Sequence, residues 1–153
     1  MQEVARAARA LAGLGPGLTP AGDDYLAGVL LASWAIGSEI PRPVAVQIIV
    51  QAAAGRTSVL STALLRAASR GEAARPWHGM VRALARSEAP TALRAAEAVC
   101  RLGHSSGIWS LAGFLDTVLD ATEGAGSSPP PPQRQTGACP RAGRPGPRRI
   151  PGA

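Results

Sequence analysis

The sequence predicts an all-α protein, and three observations carry that reading. Apolar residues recur at three- and four-residue spacing over most of the first 124 positions. No stretch alternates apolar and polar residues for long enough to form a strand, and an Ala-rich chain disfavours one. Most Gly and Pro residues fall between the periodic stretches, where they stop helices. The expectation is a single bundle of about six helices with a disordered C-terminal tail.

Each element has its own signals. Residues 2–12 place Val4, Ala7, Ala8 and Leu11 on one helical face, and GLGPG then ends the helix. Thr19 is a natural N-cap, with Pro20 at the favoured first helical position. The helix that follows, 20–36, is apolar almost all round: Leu26, Val29, Leu30 and Trp34 on one side, Tyr25, Leu31 and Ile36 on others. That pattern belongs to the buried centre of a bundle. Pro41 and Pro43 break the chain, and a third helix, 44–54, closes at Gly55. Thr57 or Ser58 caps the next, 58–70, with Val59, Leu60, Ala63, Leu64 and Ala67 as its inward stripe and Gly71 as its stop. A weaker helix covers 77–86. Residues 90–101 carry Leu93, Ala96, Val99 and Cys100 inward and end at Gly103. The last helix starts at Ser105 or Ser106 and carries Ile108, Leu111, Ala112, Leu115, Val118 and Leu119.

Charge divides the chain in two. Residues 1–125 hold 11 Arg against 10 acidic residues, whereas 126–153 hold five Arg, no acid and eight of the 14 Pro. The domain expected to fold is therefore 1–124, and 125–153 reads as a Pro/Arg/Gly-rich tail that cannot bury enough apolar surface to offset its ordering entropy. Nearly all of the +6 net charge sits in that tail, so the basic balance is no sign of a folded nucleic-acid surface. Nucleic acid is not the expected partner, and its binding by the Arg-rich tail stands only as the third alternative. Cys100 and Cys139 share no metal or redox spacing. The longest nearly apolar run, Tyr25 to Ile36, is too short for a bilayer, and residues 1–15 lack a signal-peptide pattern. The expected location is the cytoplasm, with no membrane partner.

Three segments bear residues suited to chemistry. The first is GLGPGLTPAGDD, 13–24. Gly15, Gly17 and Gly22 let the backbone turn tightly into a helix start, where free N–H groups and the helix dipole favour an anion. Thr19 adds a hydroxyl. Asp23 and Asp24 add carboxylates that would hold a cation such as Mg2+ against a bound phosphate, or act as a base. The plainer alternative is a tight interhelical turn whose acids complement the helix dipole. The second segment is GHSSG, 103–107, which offers His104 as proton donor or hydrogen-bond partner, with Ser105 and Ser106; its plainer reading is capping. The third is TSVLST, 57–62, where Thr57 and Ser58 offer donors to an anionic ligand beside Ser61 and Thr62, or merely cap and satisfy the backbone.

Taken together, GLGPGLTPAGDDYLAG (13–28), TSVLSTALLRAASRG (57–71) and GHSSGIWSLAG (103–113) resemble the three signature stretches of a bacterial family that includes the AllH-type subunit of oxamate carbamoyltransferase. The match spans about residues 11–119. Family members carry a further N-terminal region, so the chain reads as a shortened member. The resemblance implies a place in allantoin (purine) degradation, where oxalurate and phosphate interconvert with oxamate and carbamoyl phosphate. It also implies other subunits and a hetero-oligomer. All those substrates are anions, which fits the glycine-rich helix starts. The rival reading is a non-catalytic helical subunit whose loops are packing devices. Convergence of 13–24 and 103–107 on one cleft lined by Thr57 and Ser58 separates the two.

Overall fold

Seven helices and no strand occupy the residues described by the computed structural model, 2–36 and 42–126, with backbone alone at 42–46 and 124–126. They are α1 (Gln2–Leu11), α2 (Ala21–Ile36), α3 (Arg42–Ala53), α4 (Val59–Ser69), α5 (Arg75–Ala85), α6 (Ala89–Cys100) and α7 (Ser106–Gly126). The protein is all-α, as expected. The count is seven against about six, and the weaker helix expected at 77–86 is α5, anchored by buried Trp77 and Met80 three residues apart. The expected tail lies outside the described residues apart from 125 and 126, which close α7.

Helix α2 is the axle of the bundle: it touches α1, α3 and α4, and packs most extensively on α7. Two glycines explain the α2–α7 intimacy. A Cβ on Gly28 would run into the carbonyl oxygen of Ser110, and one on Gly113 into that of Tyr25. The two backbones therefore touch, which only glycine permits, at a helix-propensity cost of about 1 kcal/mol each. Around this seam Leu26, Leu30 and Phe114 are sealed from solvent, and the Phe114 ring lies 5.3 Å from that of Trp77. The Tyr25 hydroxyl donates to Asp116 Oδ2 at 2.9 Å across the same seam.

The inward faces of three helices differ from the hydropathy pattern. In α4 the buried residues are Ser61, Leu65 and Ala68, while Val59 is 89% exposed and Leu60 and Leu64 also face outward. In α6 it is Ala92 and Val99 that are buried, with Leu93 outside. In α7 the inward line is Gly107, Ser110, Gly113 and Phe114; Ile108, Leu115 and Leu119 are exposed. Size accounts for the correction. At the α6–α7 junction a Cβ on Gly107 would meet the Val99 carbonyl, so no larger side chain fits there; in α4 the inward line alternates small Ser61 and Ala68 with Leu65. Among the described residues no helix is long and apolar enough to cross a membrane.

The seam yields a paired test. Gly28→Ala should cost about 3 kcal/mol through the collision with Ser110, lowering the thermal midpoint by roughly 10 °C. Gly79→Ala, whose added Cβ meets only the Ala95 Cβ at 3.9 Å, should be neutral or stabilising by up to about 1 kcal/mol. Thermal melts followed by circular dichroism check both, and equal midpoints would contradict the backbone contact.

Candidate functional site

Three chain segments meet at the start of α2, and one carboxylate ties them. Asp23 is 2% exposed; its Oδ1 accepts the Gly13 N–H at 2.9 Å and its Oδ2 accepts the Thr57 hydroxyl. Ser58 reinforces the link from the other side. It caps α4 by accepting the Ser61 N–H at 3.0 Å, and its own hydroxyl donates to the Leu18 carbonyl at 3.1 Å. The start of α7 joins through Thr19 and Ser106, whose hydroxyls pair at 3.0 Å.

The glycine-rich loop folds back on itself. The N–H of Gly22 goes to the Leu14 carbonyl at 3.0 Å, and those of Asp23 and Asp24 go to the Pro20 carbonyl at 2.9 and 3.1 Å. Gly15 and Gly17 take positive φ, 107° and 109°, to make that turn. So these N–H groups of the first turn are already used, and Thr19 reaches across to Ser106 rather than capping α2.

A cleft of about 150 Å³ opens between α2, α4 and α7. Thr19, Asp23, Asp24, Ser61, Ser106 and Ser110 supply its polar wall, with Ala27, Leu31 and Leu64 apolar beside them. A larger groove of about 230 Å³, holding Trp34, Trp77, His78 and Arg82, adjoins it through Leu31 and Ala73. The smaller cleft is where the buried polar atoms lie. Of the residues singled out in the sequence, Thr19, Asp23, Asp24 and Ser106 share this wall. Thr57 reaches it only through Asp23 and itself lines a separate shallow groove with Arg66. Ser58 is exposed, Gly15 and Gly17 are exposed turn residues, and Gly22 packs against the Leu11 carbonyl. Ser105 is half-buried, its carbonyl accepting the N–H groups of Ile108 and Trp109. His104 is exposed and outside the wall. Ser110 escaped the sequence reading, although it stands one turn beyond Ser106 on the same face; its hydroxyl donates to the Ser106 carbonyl at 2.8 Å.

Three carboxylates line the cleft, and they are in different states. Asp23 has both oxygens engaged. Glu72 is gripped by Arg70 through Nε at 2.7 Å and Nη2 at 2.8 Å. Asp24 is 8% exposed, and its Oδ2 is buried without any partner. The Ser61 hydroxyl, on a residue 1% exposed, is equally unpartnered. A buried polar atom left unpaired costs about 1–3 kcal/mol, so two in one wall are costly unless something else meets them. Burial pushes the Asp24 carboxyl above the ordinary aspartate value; the Ser106 and Thr19 hydroxyls pull it partly back, and the neighbouring Asp23 charge adds to the rise. Among the described residues no three His, Cys, Asp or Glu side chains gather as a metal cluster. A Mg2+ ion here would rest on Asp24 and the hydroxyls, because Asp23 is committed.

An all-α protein with one polar cleft framed by helix starts is the class that this fold and geometry define. Residues 11–118 match the family model described as oxamate carbamoyltransferase subunit AllH, and the chain belongs to that family. It is thus an oxamate carbamoyltransferase-related subunit. No solved structure matches it.

The two aspartates should separate on mutation. Asp23→Ala strands the Gly13 N–H and the Thr57 hydroxyl and should cost about 3 kcal/mol, whereas Asp23→Asn keeps an acceptor for Gly13 and should cost less than half of that. Asp24 has the opposite signature. Because its folded-state pKa is raised, the native protein binds the proton more tightly than the unfolded chain does. Stability is then greatest below the unfolded value of 3.8 and falls as pH rises through the elevated folded value. Asp24→Asn should remove that decline. Chemical denaturation across this acidic range reads it directly, and a decline of the same size in the variant would rule Asp24 out as its source.

Proposed function

We propose that the chain supplies the substrate cleft of an oxamate carbamoyltransferase in allantoin breakdown, acting with separate partner subunits. The unpartnered Oδ2 of Asp24 is the observation that carries this reading. Written as carbamoyl transfer to oxamate, the reverse of the breakdown direction, the amide nitrogen of oxamate attacks the carbonyl carbon of carbamoyl phosphate. A C–N bond forms, the C–O bond to phosphate breaks with its electron pair leaving on phosphate, and the nitrogen gives up a proton. An amide nitrogen is a poor nucleophile, so that proton needs an acceptor. Asp24, its basicity raised by burial, is the wall group equipped to take it.

The substrates are anions, and among the described residues the wall carries no cationic side chain. Two helix starts offset this through their dipoles alone, the N–H groups of 22–24 and 107–109 being bonded within the protein. α2 begins at Ala21 and α7 at Ser106, and the Thr19–Ser106 contact of 3.0 Å places both positive dipole ends at the same edge. Thr19, Ser106 and Ser110 supply hydroxyls there, and a Mg2+ ion bridging Asp24 to phosphate would add charge.

A second reading, a purely assembling subunit, draws on the exposed Leu18, Val59 and Leu60 beside the Ser58–Leu18 link. Apolar side chains grouped in this way mark partner surfaces. Titration calorimetry with phosphate, oxamate and carbamoyl phosphate, with and without Mg2+, distinguishes the readings. Asp24→Asn and Ser106→Ala should fold normally yet bind oxamate at least about tenfold more weakly, while His104→Ala should bind it as the parent does. Equal affinity in all of these proteins would leave the assembly role alone standing.

A further inference from the structure

Resting on that reading of the cleft, we infer that Asp24 and Ser61 form a recognition pair for the NH2 group of a carboxamide, so that the cleft selects amide-bearing acids over their dicarboxylate counterparts. Both orphan atoms are oxygens in one wall, supplied by different helices, α2 and α4. A planar NH2 group presents two N–H donors that diverge, one for each acceptor. A second carboxylate in the same position would present only lone pairs, facing a wall that already holds Asp23, Asp24 and Glu72. The hydroxyl of Ser61 is the less expected partner. Its Cβ–Oγ arm lies on the buried face of α4, where a residue with Leu65 and Ala68 as neighbours on that face would ordinarily be apolar. Ser58, three residues earlier, has already capped the helix, so Ser61 has no structural duty for its hydroxyl.

A bound divalent cation would explain an orphan carboxylate too, but it predicts the reverse preference, because oxalate chelates Mg2+ better than oxamate does. The pair thus makes a claim about ligand order. In calorimetric titrations of the full chain, oxamate should bind at least about tenfold more tightly than oxalate. Ser61→Ala should weaken oxamate about tenfold and leave oxalate unchanged, with the melting temperature of the variant confirming its fold. Asp24→Asn should narrow the difference by admitting oxalate. Equal or tighter binding of oxalate, above all if it depends on Mg2+, overturns the pair while leaving the cleft as an anion site. The same loss of both ligands in Ser61→Ala also overturns it. Binding of neither ligand by the parent chain removes the cleft reading itself, and the pair with it.

Discussion

The close crossing of α2 and α7 is the constraint on which the rest depends. Backbone contact at Gly28 and Gly113 draws the two helices together along their length. That approach sets Thr19 and Asp24, at one end of α2, beside Ser106 and Ser110, at the start of α7. If bulky side chains filled the crossing, the helices would separate to the more usual 8–10 Å between axes, and the hydroxyl pair would part. The glycines cost helix stability locally and return it as packing. The polar wall is therefore a by-product of where the core is tightest.

Adjacent carboxylates end up with opposite employment because neighbouring helical residues point about 100° apart. Asp23 turns toward the loop and the α3–α4 link, where a backbone N–H and a hydroxyl satisfy it. Asp24 turns toward α7 and shares the cleft wall with the Thr19 and Ser106 hydroxyls, its Oδ2 remaining bare. Burial raises its proton affinity, and a group of raised proton affinity is a better proton acceptor. One acid organises the site and its neighbour is left available to it.

Much of the fold was legible because Gly and Pro stop helices by local mechanisms. Helix α2 was expected at 20–36 and runs Ala21–Ile36; α4 was expected at 58–70 and runs Val59–Ser69, capped by Ser58. The faces were less legible. Hydropathy favours Val59, Leu60 and Leu64 as the inward side of α4, yet Ser61, Leu65 and Ala68 are the residues inside, a face only one of whose members is a large apolar residue. The family likeness was readable over 11–119 and the family model covers 11–118. The site was legible as a set of loops but not as an arrangement. Thr19 and Ser106 lie 87 positions apart, and Thr57 lies 34 from Asp23, so no local spacing could report those contacts. The Asp-Asp pair stood out, but what separates its members is tertiary.

The double grip of Asp23 also bears on motion. The α1–α2 loop and the α3–α4 link are far apart in sequence, and one buried carboxylate holds both. Neither can swing out alone without stranding a charge in a water-poor setting, so their openings are thermodynamically coupled. Opening of one segment is thereby favoured by opening of the other, although only the α1–α2 loop borders the cleft itself. A single buried carboxylate thus converts two sequence-distant loops into one cooperative unit.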